Sequence, residues 1–344
     1  MAVITIIGAG MMGSAMSRPA RDNGHEVRLV GTPLDREIIA EAAVSNRHVP
    51  MKRTLPENLK YYQIEDVRSA LAGTDYVICG VSSFGVEWFA DEILPILPDN
   101  VPVLSVTKGL LDDAEGNLTT YPEFLASRMA PERNIVFSAI GGPCTSYELM
   151  DRHQTMVYFC GPDLTVLEQF KKLLATEYYH ITPSTDVRGV EGCVALKNAY
   201  AVGVSIAIGM AERLDGPDAY MYNPQAALFG QSVREMTRLV RMMGGNGDLA
   251  GGIPGAGDLF VTIFGGRTRR LGYLLGMGRT YAGAKEELKG VTLESVVIIT
   301  RMSRAIRALS AQGKVDAKDY ALILFLDSVI NNGAAAEIPW DDFR

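Results

Sequence analysis

Val3-Ile4-Thr5-Ile6-Ile7, followed at once by Gly8-Ala9-Gly10-Met11-Met12-Gly13, is the stretch that decides the fold. Its first five residues are apolar or β-branched and read as a short strand. The helical pattern Ser14-Ala15-Met16-Ser17 comes next. The whole is G-x-G-x-x-G in strand–turn–helix context. Gly8 permits the tight turn. Gly10 lets a pyrophosphate approach the backbone. Gly13 lets helix and strand pack closely, and Met11 and Met12 stand at the helix N-terminus where phosphates bind. A glycine turn without a ligand is the competing reading, and the strand before it favours dinucleotide binding.

Working outward, short apolar strands alternate with helical segments up to about Ser184. The strands expected are Val3–Ile7, Glu26–Val30, Lys60–Tyr62, Tyr76–Val81, Val103–Val106, Ile135–Ile140, Thr155–Phe159 and Tyr179–Thr182. That spacing implies βαβ units and a doubly wound, mainly parallel sheet of Rossmann type. After Asp186 the strands stop, and long helical patterns follow around 187–214, 223–243, 267–278, 292–312 and 317–331. The expectation is therefore an α/β chain: a dinucleotide-binding domain over 1–185 and an all-helical domain over 186–344. The active site is expected where the two meet, at the carboxyl ends of the strands.

The second strand ends Val27-Arg28-Leu29-Val30-Gly31-Thr32. It lacks the Asp or Glu that binds the ribose of NAD, and Asp35 and Arg36 come only after Pro33. These two read either as a solvated helix start or, for Arg36, as a contact to a 2'-phosphate. With Thr32 they leave the choice between NAD and NADP open.

The run from Cys193 to Ala211 is nearly all small or apolar and carries one charge, Lys197. It reads as a helix buried on most sides. A buried ammonium is costly unless paired, so packing alone rarely keeps one. The competing readings are a core helix whose lysine snorkels to the surface and a membrane span; a charge near the centre of a span argues against the latter. The sharper reading is a catalytic lysine beside a polar guide, Asn198.

Other loops carry candidate chemistry. Lys108 stands just past the buried strand Val103–Val106. Gly141-Gly142-Pro143-Cys144 follows the sixth strand and leads to Glu148. Pro254-Gly255-Ala256-Gly257-Asp258-Leu259 presents Asp258, with Thr262 one helical turn on; an N-capping aspartate is the plain alternative. Gly265-Gly266-Arg267-Thr268-Arg269-Arg270 suits an anionic ligand, because a guanidinium fork grips phosphate.

Composition fits a soluble enzyme. The chain has 344 residues and a formal net charge of -7, which disfavours a nucleic-acid partner. The cysteines Cys79, Cys144, Cys160 and Cys193 have neither paired nor metal-ligand spacing, so no metal is expected and a reducing cytoplasm is.

Taken in order, these motifs resemble the NAD(P)-dependent glycerol-3-phosphate dehydrogenase family over most of the chain. The likeness runs through Gly8-Ala9-Gly10-x-x-Gly13, Leu55-Pro56-Glu57-Asn58-Leu59, Thr107-Lys108-Gly109 and Gly142-Pro143 with Glu148. It continues through Ala195-Leu196-Lys197-Asn198, Asn223-Pro224-Gln225-Ala226-Ala227-Leu228, Gly257-Asp258-Leu259-x-x-Thr262 and Gly265-Gly266-Arg267. The resemblance implies a catalytic cluster of Lys108, Lys197, Asp258 and Thr262. It implies substrate contacts from Asn198, Arg267 and Thr268. It also implies a cofactor lined by the glycine loop, Thr32, Arg36, Ser82, Phe84, Lys108, Pro143, Arg267 and Lys289. A small phosphorylated substrate and a homodimer follow from the same likeness.

The chain departs from that pattern in places. Thr268 stands where the family has Asn, Ile263 where it usually has Cys, and Lys289 where it has Glu or Gln. Val81-Ser82-Ser83 replaces the usual Val-Pro, and Asp215–Asn223 looks like an expanded loop. A related ketose or polyol phosphate is therefore an open substrate. Two other readings compete: a β-hydroxyacid or ketopantoate-reductase type of dehydrogenase, and a cofactor-binding sensor without catalysis.

Overall fold

The computed structural model describes residues 1–343 and falls into two compact units. The first comprises Met1–Lys108 and Tyr121–Val187; the second comprises Gly109–Thr120 and the chain from Arg188 onward.

The first unit is built on one eight-stranded sheet. Its strands are β1 (Val3–Ile7), β2 (Glu26–Val30), β3 (Lys60–Tyr62), β4 (Tyr76–Cys79), β5 (Val103–Ser105), β6 (Phe137–Gly141), β7 (Thr155–Cys160) and β8 (Tyr179–Ser184). The spatial order is β8-β7-β6-β5-β4-β1-β2-β3. β1 pairs in parallel with β2 on one side, Ile7 opposite Val30, and with β4 on the other, Ile7 opposite Cys79. The strand order reverses at β1, so the carboxyl ends of β1 and β4 form the switch point where open α/β sheets bind ligands. The sheet is parallel through β6. There it departs from a purely parallel arrangement, because β7 runs antiparallel to β6, Ala139 opposite Cys160, and β8 follows β7. The central strands are buried on both faces, with Ile4, Ile6, Leu29, Ile78 and Phe159 all in the core.

The second unit is helical. Its main elements are α2 (Val187–Asp215, which begins in the last residue of the first unit), α3 (Tyr222–Met242), α4 (Asp258–Ile263), α5 (Gly266–Gly276), α6 (Glu294–Ala311) and α7 (Ala321–Asn331); α1 (Met11–Ala15) belongs to the first unit. α2 is long and apolar enough to cross a membrane, yet 89% of its most apolar window is buried inside the fold. It is the spine of this core.

The sequence division at 185/186 places residues 109–120 with the sheet, and the structure does not. They form an antiparallel hairpin, Leu110–Asp112 with Leu118–Thr120. Asp112 takes Arg304 Nε at 2.6 Å, and the Leu110 carbonyl accepts from Arg301, both on α6. Ion pairing between residues about 190 positions apart leaves no local signature, so alternation alone could not assign it.

Candidate active site

The glycine loop does what its spacing requires. Gly8 has φ +112°, a conformation side chains rarely adopt. A Cβ on Gly13 would sit 2.1 Å from the Gly8 carbonyl oxygen, so only glycine fits there. A Cβ on Gly10 would meet nothing within 4 Å, which leaves open space over the loop. A pyrophosphate fits that cradle, with α1 behind it. Gly80, just past β4, is a partner the sequence reading missed. Its Cβ would lie 2.7 Å from the Gly8 oxygen and 2.9 Å from Gly13 Cα. Three backbones meet where β1 and β4 end.

Past the end of β2, Asp35 stands at the start of the helix Arg36–Ser45, but its carboxylate is engaged within the protein. Its Oδ2 accepts from the Thr32 N–H at 2.9 Å, the Thr32 hydroxyl at 2.7 Å and the Ala9 N–H at 3.1 Å. Arg36 is exposed and pairs with Glu65. Ser82 precedes the turn Ser83–Gly85, and Phe84 is exposed within it. Lys108 Nζ donates to the Gly142 carbonyl at 3.0 Å, which places it beside Pro143 at the end of β6.

In the second unit Lys197 lies on α2, only 7% exposed. Its Nζ is 3.1 Å from Asp258 Oδ1 and donates to Thr262 Oγ1 at 2.7 Å. The Thr262 hydroxyl in turn donates to the Asp258 carbonyl at 2.6 Å. Asp258 and Thr262 are four apart on α4, so one helical face presents both to the lysine. Asp258 is 1% exposed, and its carboxylate reaches Lys197 rather than capping α4. A π-helical turn over Ile253–Gly257 sets α4 in place, and a Cβ on Gly255 would fall 2.2 Å from the Ala250 oxygen. Asn198 is buried beside Lys197.

α5 brings Arg267 and Thr268 in at its N-terminus, preceded by extended Gly265. Arg267 is half exposed, 3.8 Å from Glu294. α5 is seated by a glycine seam on α2: a Cβ on Gly272 would lie 2.4 Å from the Val202 oxygen, and one on Gly276 2.1 Å from the Ile206 oxygen. Backbone-to-backbone approach at that range holds α5 to α2 with little freedom. Lys289 is on an exposed turn, 3.5 Å from Glu286.

A second buried carboxylate, Glu235 on α3, escaped the sequence reading. It accepts the N–H groups of Leu322 and Ile323 at 2.8 and 3.1 Å, capping α7, and the Tyr200 hydroxyl at 2.9 Å. Burial pushes its carboxyl above the ordinary value, against those hydrogen bonds. Tyr200 lies one turn after Lys197, so this network stiffens α2 at the lysine.

A doubly wound sheet with a phosphate-ready glycine loop, joined to a helical unit holding a buried, paired lysine, defines a nicotinamide-dependent dehydrogenase class. Comparison with known proteins makes this specific. The model of the NAD-dependent glycerol-3-phosphate dehydrogenase N-terminus matches residues 3–165, and that of the C-terminus matches residues 186–338. The chain belongs to the NAD-dependent glycerol-3-phosphate dehydrogenase family. It is 32% identical over 337 residues to an NADP(+)-dependent glycerol-3-phosphate dehydrogenase of Archaeoglobus fulgidus, covering 97% of each chain. It is 28% identical to a glycerol-3-phosphate dehydrogenase [NAD(P)+] of Streptococcus gordonii, covering 98% of each. In fold it is similar to the glycerol-3-phosphate dehydrogenase of Coxiella burnetii, with TM-score 0.81, 22% identity, and 97% and 96% of the two chains covered. A ketopantoate reductase of Ralstonia eutropha shares the fold more loosely, with TM-score 0.54, 17% identity, and 97% and 99% covered. The protein is thus an NAD(P)-dependent oxidoreductase acting on CH–OH.

Proposed function

We propose that this chain interconverts glycerol 3-phosphate and dihydroxyacetone phosphate, with Lys197 handling the proton. The observation that carries the reading is the buried Lys197–Asp258–Thr262 cluster. The nicotinamide supplies or takes the hydride at the substrate's second carbon. Lys197 gives a proton from Nζ to the carbonyl oxygen in reduction and recovers it from the hydroxyl in oxidation. Asp258 and Thr262 hold Nζ at one point, so the proton is delivered to one position. The family pattern adds Lys108 to the catalytic set and Asn198 to the substrate contacts.

Arg267 and Thr268 are the proposed phosphate holders. A guanidinium at a helix N-terminus combines a bidentate charge with the positive end of α5. Gly8, Gly10, Met11, Met12 and Gly13 are proposed to bind the cofactor, with Thr32 and Arg36 at its adenosine end. The name of the Archaeoglobus relative and the engagement of Asp35 within the protein both favour NADP there.

A homodimer is proposed as the working form. Exposed Tyr220, Tyr222, Phe260 and Phe264 share one surface cavity with Glu212 and Arg269, charges of both signs that suit a two-fold contact. Sedimentation should give a dimer, and Phe264→Glu should weaken it. Four cysteines present as thiols support a reducing, cytoplasmic setting.

The deciding experiment is a substrate panel with NADH and NADPH. Dihydroxyacetone phosphate should give the highest kcat/KM. A higher value for a longer ketose phosphate or a small keto acid would reassign the substrate.

A further inference from the structure

The Ala9 peptide, between the first two glycines of the loop, is gripped on both sides. Its N–H donates to Asp35 Oδ2 at 3.1 Å. Its carbonyl lies 2.9 Å from His48 Nε2 and accepts from the Ser14 hydroxyl at 3.1 Å. His48 is fully buried. It belongs to a small hairpin, Arg47–His48 with Arg53–Thr54, that follows a left-handed turn at Asn46.

The tautomer of His48 follows from its partners. The Met51 backbone N–H lies 3.1 Å from His48 Nδ1. A backbone amide can only donate, so Nδ1 is the acceptor. The ring proton therefore sits on Nε2 and points at the Ala9 carbonyl. The imidazole works as a fixed donor.

Both hydrogen-bonding groups of Ala9 are thereby turned into the protein. The amides that follow, in the first turn of α1, are the ones left for a pyrophosphate. We propose that His48 and Asp35 are positioning residues that clamp the Ala9 peptide and hold the glycine loop in its cofactor-binding shape. Preformed donors bind without an ordering cost, so affinity for the dinucleotide depends on the clamp. The pyrophosphate is common to NAD and NADP, so the clamp acts on both equally. The inference rests on the cofactor-binding assignment and not on the identity of the substrate.

The test is nucleotide binding without substrate, by quenching of protein fluorescence, to wild type, His48→Ala and His48→Gln. The Ala variant should raise Kd for NADH and NADPH by the same factor, roughly tenfold for one lost buried hydrogen bond. Its kcat at saturating cofactor should stay within about twofold. His48→Gln, whose amide can donate from the Nε2 position, should recover part of the affinity. Unchanged Kd in a folded Ala variant, or a loss confined to one of the two nucleotides, overturns the proposal. If the Ala variant does not fold, histidine-labelled wild type decides by nuclear magnetic resonance. A proton on Nε2 of His48, with resonances that move on adding NADPH, supports the clamp. A proton on Nδ1, or no movement at saturation, overturns it. Wild type that bound neither nucleotide would instead refute the cofactor assignment itself.

Discussion

Lys197 Nζ lies 3.1 Å from Asp258 Oδ1, and both side chains are more than nine-tenths buried. The ammonium of α2 therefore does not snorkel to solvent. It is half of an ion pair inside the helical unit, with the Thr262 hydroxyl as a second anchor. Residues 61 positions apart in sequence share one proton-bearing cluster.

The pair predicts losses of activity and of stability that are measured separately in its two members. Lys197→Ala should lower kcat by at least about a hundredfold, the low end for a lost general acid or base. Nucleotide Kd should hardly change. Asp258→Asn takes the carboxylate away from a buried ammonium and should also destabilise the fold, by about 3–5 kcal/mol. Steady-state kinetics and urea unfolding of the two variants check both. Near-normal turnover in Lys197→Ala would make the lysine structural.

Thr262 gives a finer test. Its hydroxyl links Nζ to the Asp258 carbonyl, so Thr262→Val removes the link while keeping the shape. We expect kcat to fall roughly tenfold, as for one hydrogen bond to a charged group. Thr262→Ser should retain most of the activity. A loss in the Ser variant beside a near-normal Val variant would point to the methyl group instead.

Arg267 should be replaceable only in part. Arg267→Ala is expected to raise KM for dihydroxyacetone phosphate at least tenfold, and Arg267→Lys to recover a fraction, since a point charge lacks the fork. Thr268→Asn installs the amide that the family resemblance implies at this position. It should improve kcat/KM for dihydroxyacetone phosphate relative to any larger ketose phosphate. A flat ratio, with Arg267→Ala also silent, would remove this loop from phosphate binding.

Asp22 sets part of the acid stability of the first unit. It pairs with Arg152 at 2.7 Å and accepts the Tyr178 hydroxyl at 2.7 Å. Burial alone would raise its carboxyl, but Arg152 and Tyr178 outweigh that and hold it below the ordinary 3.8. A lowered native pKa means stability that is present above pH 3.8 and lost as pH falls through the native value. Asp22→Asn should cost about 1 kcal/mol at pH 7, a value discounted for the exposed arginine. The difference from wild type should shrink on acidification below the ordinary value. Urea unfolding at pH 7 and near pH 3 measures it, and a gap that widened in acid would contradict the assignment.

Much of the fold is written locally. Strand β1, the glycine spacing, β2 and the long α2 all follow from hydrophobic period and from glycines whose roles depend on adjacent residues. Lys197 announces itself because a charge in an apolar helix is costly wherever the helix packs. Asp258 and Thr262 could be singled out by their spacing on one face of α4.

Their meeting with Lys197 could not be read in this way, and neither could the rest of the geometry around these residues. Gly80 looks like any strand-end glycine until the sheet sets β4 beside β1. His48 lies in a polar stretch with no periodic signal, and only the folded hairpin puts its ring 2.9 Å from the Ala9 carbonyl, 39 residues away. Asp35 does start a helix, but only the folded turn brings its carboxylate onto the Ala9 N–H. The reversal of β7 and the placement of the 109–120 hairpin with α6 depend on register and on distant ion pairs. The sequence by itself determined which segments become strands, helices and phosphate-ready turns, because those preferences arise between near neighbours. Tertiary structure alone decided which buried donors and acceptors meet, because removing a polar group from water is tolerable only where the whole fold supplies its partner.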